Sequence, residues 1–435
     1  MPSPASSPQA PLDSAIRRAA WRLVPFLLLM YAANFLDRAN IGFAKQALQS
    51  SVGITEAVYA LAAGLFFISY ALCGIPSNLI LHKAGAKVWI SSLMVAWGLA
   101  SMATMFVTGP RSLYAVRLLL GVTEAGFFPG MILFLTLWFP NRVRGQILGL
   151  FYLGAPLALA LGGPLSGMLL EMDPIPGLRN WQWMFLAEGF LAVAVGVAAW
   201  WFLDDRPSRA SWLPEEERQA LAQALADEEM ERRSGSPTAL LTLLRDPRVL
   251  HFALIYFLIQ MSVYGVIFYL PSQVSALLHK PAGVEVGMVS AIPWVCALIA
   301  VLLLPRLADR LNQRRRVAAV AMLVSGVASF AFPSAGPVLG LMALSIAAAG
   351  FLGVQPIFWT FPTAYLADRA AAAGIAMITM GNLGGFFAPN VKVWADVHFA
   401  SPRAGLYLLA ALTVLNAGLI ALIASRPQRP SGASL

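Results

Sequence analysis

The chain is poor in the groups that metal, redox and hydrolytic chemistry require. Its 435 residues include two cysteines, Cys73 and Cys296, in separate apolar stretches, and four scattered histidines. Neither a disulfide framework nor a metal-ligand spacing is present. No nucleophile, base and orienting group occur together, which argues against an enzyme. Charge is scarce as well: 12% of residues are charged against 59% hydrophobic, and the mean hydropathy is +0.71. That is too little polar surface for a soluble fold of this length, so the composition is that of an all-α polytopic membrane protein. A cleavable signal peptide is not apparent, because Met1 to Ser14 is rich in Pro, Ser and Ala and has no apolar core. No Asn-x-Ser/Thr sequon occurs and the loops are short, which points to a bacterial membrane.

What the chain does have is long apolar runs. Windows of about 20 residues give twelve predicted spans. They fall at 22–44, 56–81, 88–107, 113–138, 146–170 and 183–203, then at 248–271, 286–307, 317–334, 336–361, 374–396 and 404–424. The expected organisation is a disordered tail at 1–21, a six-helix bundle at 22–203, a polar linker at 204–247, a second bundle at 248–424 and a tail at 425–435. In the linker, Pro214 precedes three glutamates, the pattern of a helix start with acids at the positive end of its dipole. The 30 Lys and Arg residues fall mostly in loops on the side of the termini, so both termini are expected in the cytoplasm. The net charge of +9 then reflects topology and not a nucleic-acid site.

Two spans carry charge at their middle. Between Arg22 and Lys45 the only charged residues are Asp37 and Arg38, and between Arg111 and Arg142 they are Arg117 and Glu124. A charge at the bilayer centre costs roughly 2.5–3.5 kcal/mol on insertion scales, so these four need partners and a purpose. Arg117 and Glu124 are seven residues apart, which places them on one helical face about 10 Å apart along the axis. Asp37 and Arg38 are read as the same acid–guanidinium logic in span 1, with Asn34 one turn away. Removal from water favours a neutral carboxyl and a nearby guanidinium favours an ionised one, so a small movement of an arginine can load or release a proton. The alternative for these four residues is a purely structural ion-pair network. Apart from Glu188, near the outer end of span 6, Asp37 and Glu124 are the only acids well inside spans.

Several stretches together resemble the major facilitator superfamily, and within it the anion:cation symporters of the tartrate, phthalate and hydroxyphenylacetate permease kind. They are Asn34 to Gly42, Pro76-Ser77-Asn78-Leu79, Arg117 to Pro129, Trp181 to Gly189, Asp205-Arg206-Pro207 with Trp212-Leu213, and Gly381 to Gly385. The resemblance covers nearly the whole chain. It implies a major facilitator fold of twelve helices in two pseudo-symmetric six-helix bundles, and proton-coupled uptake of a small organic anion by a monomer in the bacterial inner membrane. The proton is the coupling ion and no other cofactor is implied. By the same resemblance, Asp37 and Glu124 carry protons, and Arg38 and Arg117 pair with them or with a substrate carboxylate. Tyr70, Trp359, Thr360 and Asn382 line the cavity, and Gln260, Tyr264 and Tyr269 are candidates for its opposite wall. The gating loops are His82, Lys83 and Gly85 in one half and Asp309 and Arg310 in the other. His82 stands where the family usually has an acid, which implies a weaker latch to arginines such as Arg144. Lys392 is expected to snorkel to the interface, or else to meet the second carboxylate of a dicarboxylate. Export of drugs by the same fold and a non-transporting sensor are the alternative functions.

Overall fold

The computed structural model describes residues 9–172, 176–233, 245–366 and 371–423. Among them the regular structure is helical, as long apolar runs must be when the backbone can find no partner in lipid. The helices are Gln9–Val52 (span 1), Glu56–Ala84 (span 2), Ala86–Ala103 (span 3), Pro110–Glu124 with Phe127–Trp138 (span 4), Asn141–Tyr152 with Gly154–Glu171 (span 5) and Asn180–Phe202 (span 6). After a linker helix at Glu215–Arg233 come Pro247–Leu278 (span 7), Val284–Arg310 (span 8), Arg314–Ala331 (span 9), Pro337–Tyr365 (span 10) and Ala404–Ala421 (span 12). Among the described residues, eleven helical segments are long and apolar enough to cross a membrane. Span 11, expected unbroken, is instead two short helices, Ala371–Thr379 and Gly384–His398, hinged at a 3-10 turn at Met380–Leu383.

Helix packing repeats at an interval of six. Span 1 packs on 5 and 6, span 2 on 4, and span 3 on 4 and 6; correspondingly, span 7 packs on 11 and 12, span 8 on 10, and span 9 on 10 and 12. The halves meet through spans 5 and 8, 2 and 11, and 1 and 7, a set that maps onto itself under the same interval. Glycine makes the 5–8 crossing tight: a Cβ at Gly163 would lie 2.7 Å from the carbonyl oxygen of Gly287. Without side chains there, the two backbones can touch and slide.

The start of the chain departs from expectation. Helix extends back to Gln9, and only residues 1–8 of the expected disordered tail lie outside the described residues. Ala15 and Ala19 are fully buried, while Ser14 and Arg18 donate to Glu217 of the linker helix at 2.8 and 2.9 Å. The Arg18 hydrogen bond holds the Glu217 carboxyl below the usual carboxylate range. The linker thus clamps the first half: Arg144 donates to Glu228 of the linker helix at 3.1 Å, and Trp212, just before that helix, stacks on Trp138 with centroids 5.5 Å apart.

The gating-loop residues also engage their own halves. Gly85 adopts φ +87°, a conformation open to glycine, and Lys87 N–H next to it donates to Asp205 at 2.8 Å. Asp309 pairs with Arg314 of its own turn at 2.6 Å, and Lys83 and Arg310 are exposed. The His82 side chain lies outside the described residues, and its anticipated partner Arg144 is held by Glu228.

Candidate functional site

The centre of the molecule is organised by Glu124, which is 0% exposed at the last turn before span 4 breaks. Span 4 reaches this depth because a Cβ at Gly121 or Gly126 would overlap Ser69 or Ser77 of span 2. Asn34 Nδ2 and Arg38 Nε, four residues apart on one face of span 1, each donate to Glu124 Oε2 at 2.7 Å. Arg38 also reaches the other half, donating from NH1 to Tyr264 Oη of span 7 at 3.3 Å. Its guanidinium carbon is 5.1 Å from the ring centroids of Phe66 and Tyr70. A single buried cation therefore joins an acid of one half to a phenol of the other, and a charge-assisted pair of this kind is among the stronger hydrogen-bonded links.

Asp37 does not pair with its neighbour Arg38. Consecutive helical residues point about 100° apart, so Asp37 faces away from Glu124 and into spans 3 and 6. There Ser101 Oγ donates to Oδ1 at 2.6 Å and Trp97 Nε1 to Oδ2 at 3.1 Å. The span 1 logic read from adjacency is thus replaced by one across helices. Arg117, 2% exposed, forms no ion pair among the described residues. Its Nε donates to the Ala62 carbonyl at 3.4 Å, its guanidinium carbon sits 5.2 Å from the Phe66 centroid, and its NH2 has no protein partner. Phe66 accordingly lies against both guanidinium groups, an arrangement that favours cations through the ring face.

The second half supplies neutral groups. Gln260 Nε2 donates to Asn382 Oδ1 at 2.6 Å. Asn382 is presented by the turn that breaks span 11, and glycines let that turn lie against span 7: a Cβ at Gly381 would be 2.8 Å from the Phe257 nitrogen. Trp359 packs 5.0 Å from Tyr256 with its indole N–H unpartnered. Thr360 is less available, because its hydroxyl donates to Ile357 of its own helix at 2.7 Å. Buried polar atoms without a protein partner recur across this region, at Asn34 Oδ1, Glu124 Oε1, Arg117 NH2 and Gln260 Oε1. Such groups are rare in protein interiors and mark places where a solute can complete the bonding. On the side of the termini, a cavity of about 630 Å³ opens in the second half beside Arg248, His251 and Arg314.

Tyr269 belongs elsewhere. It lies at the end of the bundle far from the termini, between Lys45 and Lys392, each with its Nζ 4.7 Å from the ring centroid. Lys45 pairs with Glu56 at 2.8 Å, and Lys392 pairs with Asp396 at 2.6 Å and lies 3.8 Å from Glu56. Tyr59 Oη donates to the Phe268 carbonyl at 3.0 Å beside them. Lys392 therefore neither snorkels nor stands free for a second carboxylate; it ties span 11 to span 2. Sequence reading missed Lys45, Glu56 and Asp396, although Lys392 and Asp396 at i, i+4 are a legible ion pair. Replacing Lys392 by Gln should loosen this closed end. In a background without Cys73 and Cys296, a cysteine in place of Ser275, which is buried beside Gln46 at this end, should react several-fold faster with a membrane-impermeant maleimide when Lys392→Gln is added. An unchanged rate would show that these contacts do not hold the end shut.

Comparison with known proteins agrees with this architecture. The chain is 46% identical to the inner membrane transport protein RhmT of Escherichia coli (strain K12) over 410 residues, covering 94% of this chain and 95% of that protein. It is 40% identical over 411 residues to a putative tartrate transporter of Agrobacterium vitis, covering 94% and 91%. It is 38% identical over 422 residues to a quinolone resistance transporter of Acinetobacter baumannii, covering 95% and 96%. In fold it resembles the xylose transporter XylE from E. coli in a partially occluded inward-open conformation, with TM-score 0.73, 14% identity, and coverage of 96% of this chain and 100% of that one. The Major Facilitator Superfamily profile matches residues 27–389. With eleven helical crossings and one broken one among the described residues, a packing pattern that repeats at an interval of six, and relatives that are transporters and not enzymes, this multi-pass membrane protein belongs to the Major Facilitator Superfamily.

Proposed function

We propose that the protein imports a small organic acid anion together with protons, in the manner of the anion:cation symporters. The observation that carries this reading is Arg38, a buried guanidinium held at once by Glu124 of one half and Tyr264 of the other. A substrate carboxylate can compete with Glu124 for the same N–H fork, which Arg presents in a geometry matched to carboxylates. Protonation of Glu124 releases the fork, so proton loading and anion binding favour one another. Arg117, with an unpartnered N–H on the same ring, provides a second positive contact, and Gln260, Asn382 and Trp359 provide neutral ones. Tartrate in the description of one relative supports a hydroxy or sugar acid as substrate. Alternating access is rocking of the halves, 22–203 against 248–424, with Lys45, Glu56, Lys392 and Asp396 closing the external end. Both termini are then cytoplasmic, in an inner membrane like that of the E. coli relative.

The test is uptake into proteoliposomes under an imposed inward proton gradient, with a panel of sugar acids, hydroxy dicarboxylates and aromatic acids. Binding of the accepted substrate should weaken as the pH rises, because the two acids, once ionised, cancel the charge of the two arginines. Affinity that is flat or rises with pH would reject acid-controlled anion binding. The quinolone resistance relative favours a second reading, drug export by the same fold. That reading requires outward, gradient-driven movement of a quinolone in the same vesicles.

A further inference from the structure

The central site leaves one buried acid without a role. Glu188 of span 6 is 2% exposed, receives a hydrogen bond from Ser166 Oγ of span 5 at 2.6 Å on Oε1, and has no partner on Oε2. Its other polar neighbour is Asn40 of span 1, itself 1% exposed, whose side-chain N–H groups are turned to both Glu188 and Asp37. Asn40 Nδ2 lies 3.5 Å from Asp37 Oδ1, and Asn40 Oδ1 is unpartnered. The region therefore holds two buried acceptors that lack a donor, Glu188 Oε2 and Asn40 Oδ1, joined through one amide to a third acceptor group that has donors in plenty.

We propose that Glu188 is a third proton-carrying acid, sharing one proton with Asp37 under the control of Asn40; this rests on the proton-symport reading above. The Asn40 amide nitrogen carries two N–H donors and so can serve both acids, which makes their other donors decisive. Asp37 also receives Ser101 and Trp97 and so is built for the carboxylate form. Glu188 receives only Ser166 besides, and its unpartnered Oε2 is the place for the shared proton. On transfer, the proton leaves Glu188 and arrives on Asp37, directly or through water. Glu188 becomes the carboxylate, and the Asn40 N–H donates to it. The pair keeps one proton and one negative charge throughout, so the step moves a proton inward from the outer end of span 6 without creating a new buried charge. The remaining groups facing the pair are Ser166 on span 5, Trp97 and Ser101 on span 3, and, at longer range, Arg117 and Glu124 on span 4. Asp37 is then not an isolated coupling acid but the inner member of a relay.

Infrared difference spectroscopy of the purified protein near neutral pH tests this independently of transport. The wild-type protein should show the carbonyl band of a buried protonated carboxyl. Glu188→Gln should remove that band, Asp37→Asn should leave it, and Glu188→Asp, which keeps an acid, should shift it. A band retained in Glu188→Gln, or lost in Asp37→Asn, overturns the assignment. In proteoliposomes, Glu188→Gln should slow proton-driven uptake about tenfold, the effect of about 1.4 kcal/mol on the barrier. Substrate counterflow, which needs no net proton movement, should stay near the wild-type rate, and Glu188→Asp should restore driven uptake. Equal loss of uptake and counterflow, or no loss of either, would reject the relay. If Glu124→Gln retains uphill uptake, proton symport through Glu124 itself is wrong, a failure separate from the spectroscopic outcome at Glu188.

Discussion

Glu124→Gln should abolish uphill, gradient-driven uptake and leave substrate exchange across the membrane. Gln occupies the space of the protonated acid and can still receive Asn34 and Arg38 on its amide oxygen, so the two 2.7 Å contacts keep an acceptor. What is lost is the alternation between a form that holds Arg38 by charge and one that releases it. Two protons moving with one monoanion carry net charge +1, and each charge gains about 2.3 kcal/mol per 100 mV. At about 1.4 kcal/mol per decade this is roughly a 50-fold accumulation from the potential alone. That accumulation should collapse to equilibration in the variant, measured as the steady-state ratio of substrate inside and outside vesicles under an imposed potential. A variant that still concentrates substrate with an unchanged proton-to-substrate ratio would remove Glu124 from the coupling mechanism.

The second large effect is expected at Arg38. Truncating one partner of a buried, hydrogen-bonded charge pair typically costs about 2–5 kcal/mol, so Arg38→Gln should weaken substrate binding by roughly 30-fold or more. Arg38→Lys separates charge from geometry. Lysine keeps the positive charge but cannot span Glu124 at 2.7 Å and Tyr264 at 3.3 Å with one planar fork. It should therefore recover only part of the affinity, and it should slow transport more than it weakens binding, because the link between the halves is broken. Isothermal titration with the accepted substrate, beside counterflow rates, distinguishes these terms. If Arg38→Lys matches the wild type in both, a point charge suffices and the proposed competition for the guanidinium fork is wrong.

Much of this protein is legible without coordinates. A bilayer forces each long apolar run into a helix, so the order and length of the crossings follow from hydropathy, and the scarcity of intramembrane charge isolates Asp37, Arg38, Arg117 and Glu124. Asn382 was legible too, through the resemblance of Gly381 to Gly385 to the family pattern, but the break in span 11 that presents it was not. Lys392 was legible as an exception but not in its role, because its partner Glu56 lies on another helix in the other half of the chain.

The sequence by itself determined which charges enter the membrane; only the tertiary structure decided how they pair. Adjacency in the chain suggested Asp37 with Arg38, but the helical rotation of about 100° per residue sends them to different faces of span 1. Arg38 meets Glu124 because glycines let span 4 press against span 2, and Asp37 meets Ser101, Trp97 and Asn40 because spans 3 and 6 close over its other side. Composition dictates that buried charge must find partners. The choice of partner depends on which helix faces pack together, and that is a property of the assembled bundle and not of any one span.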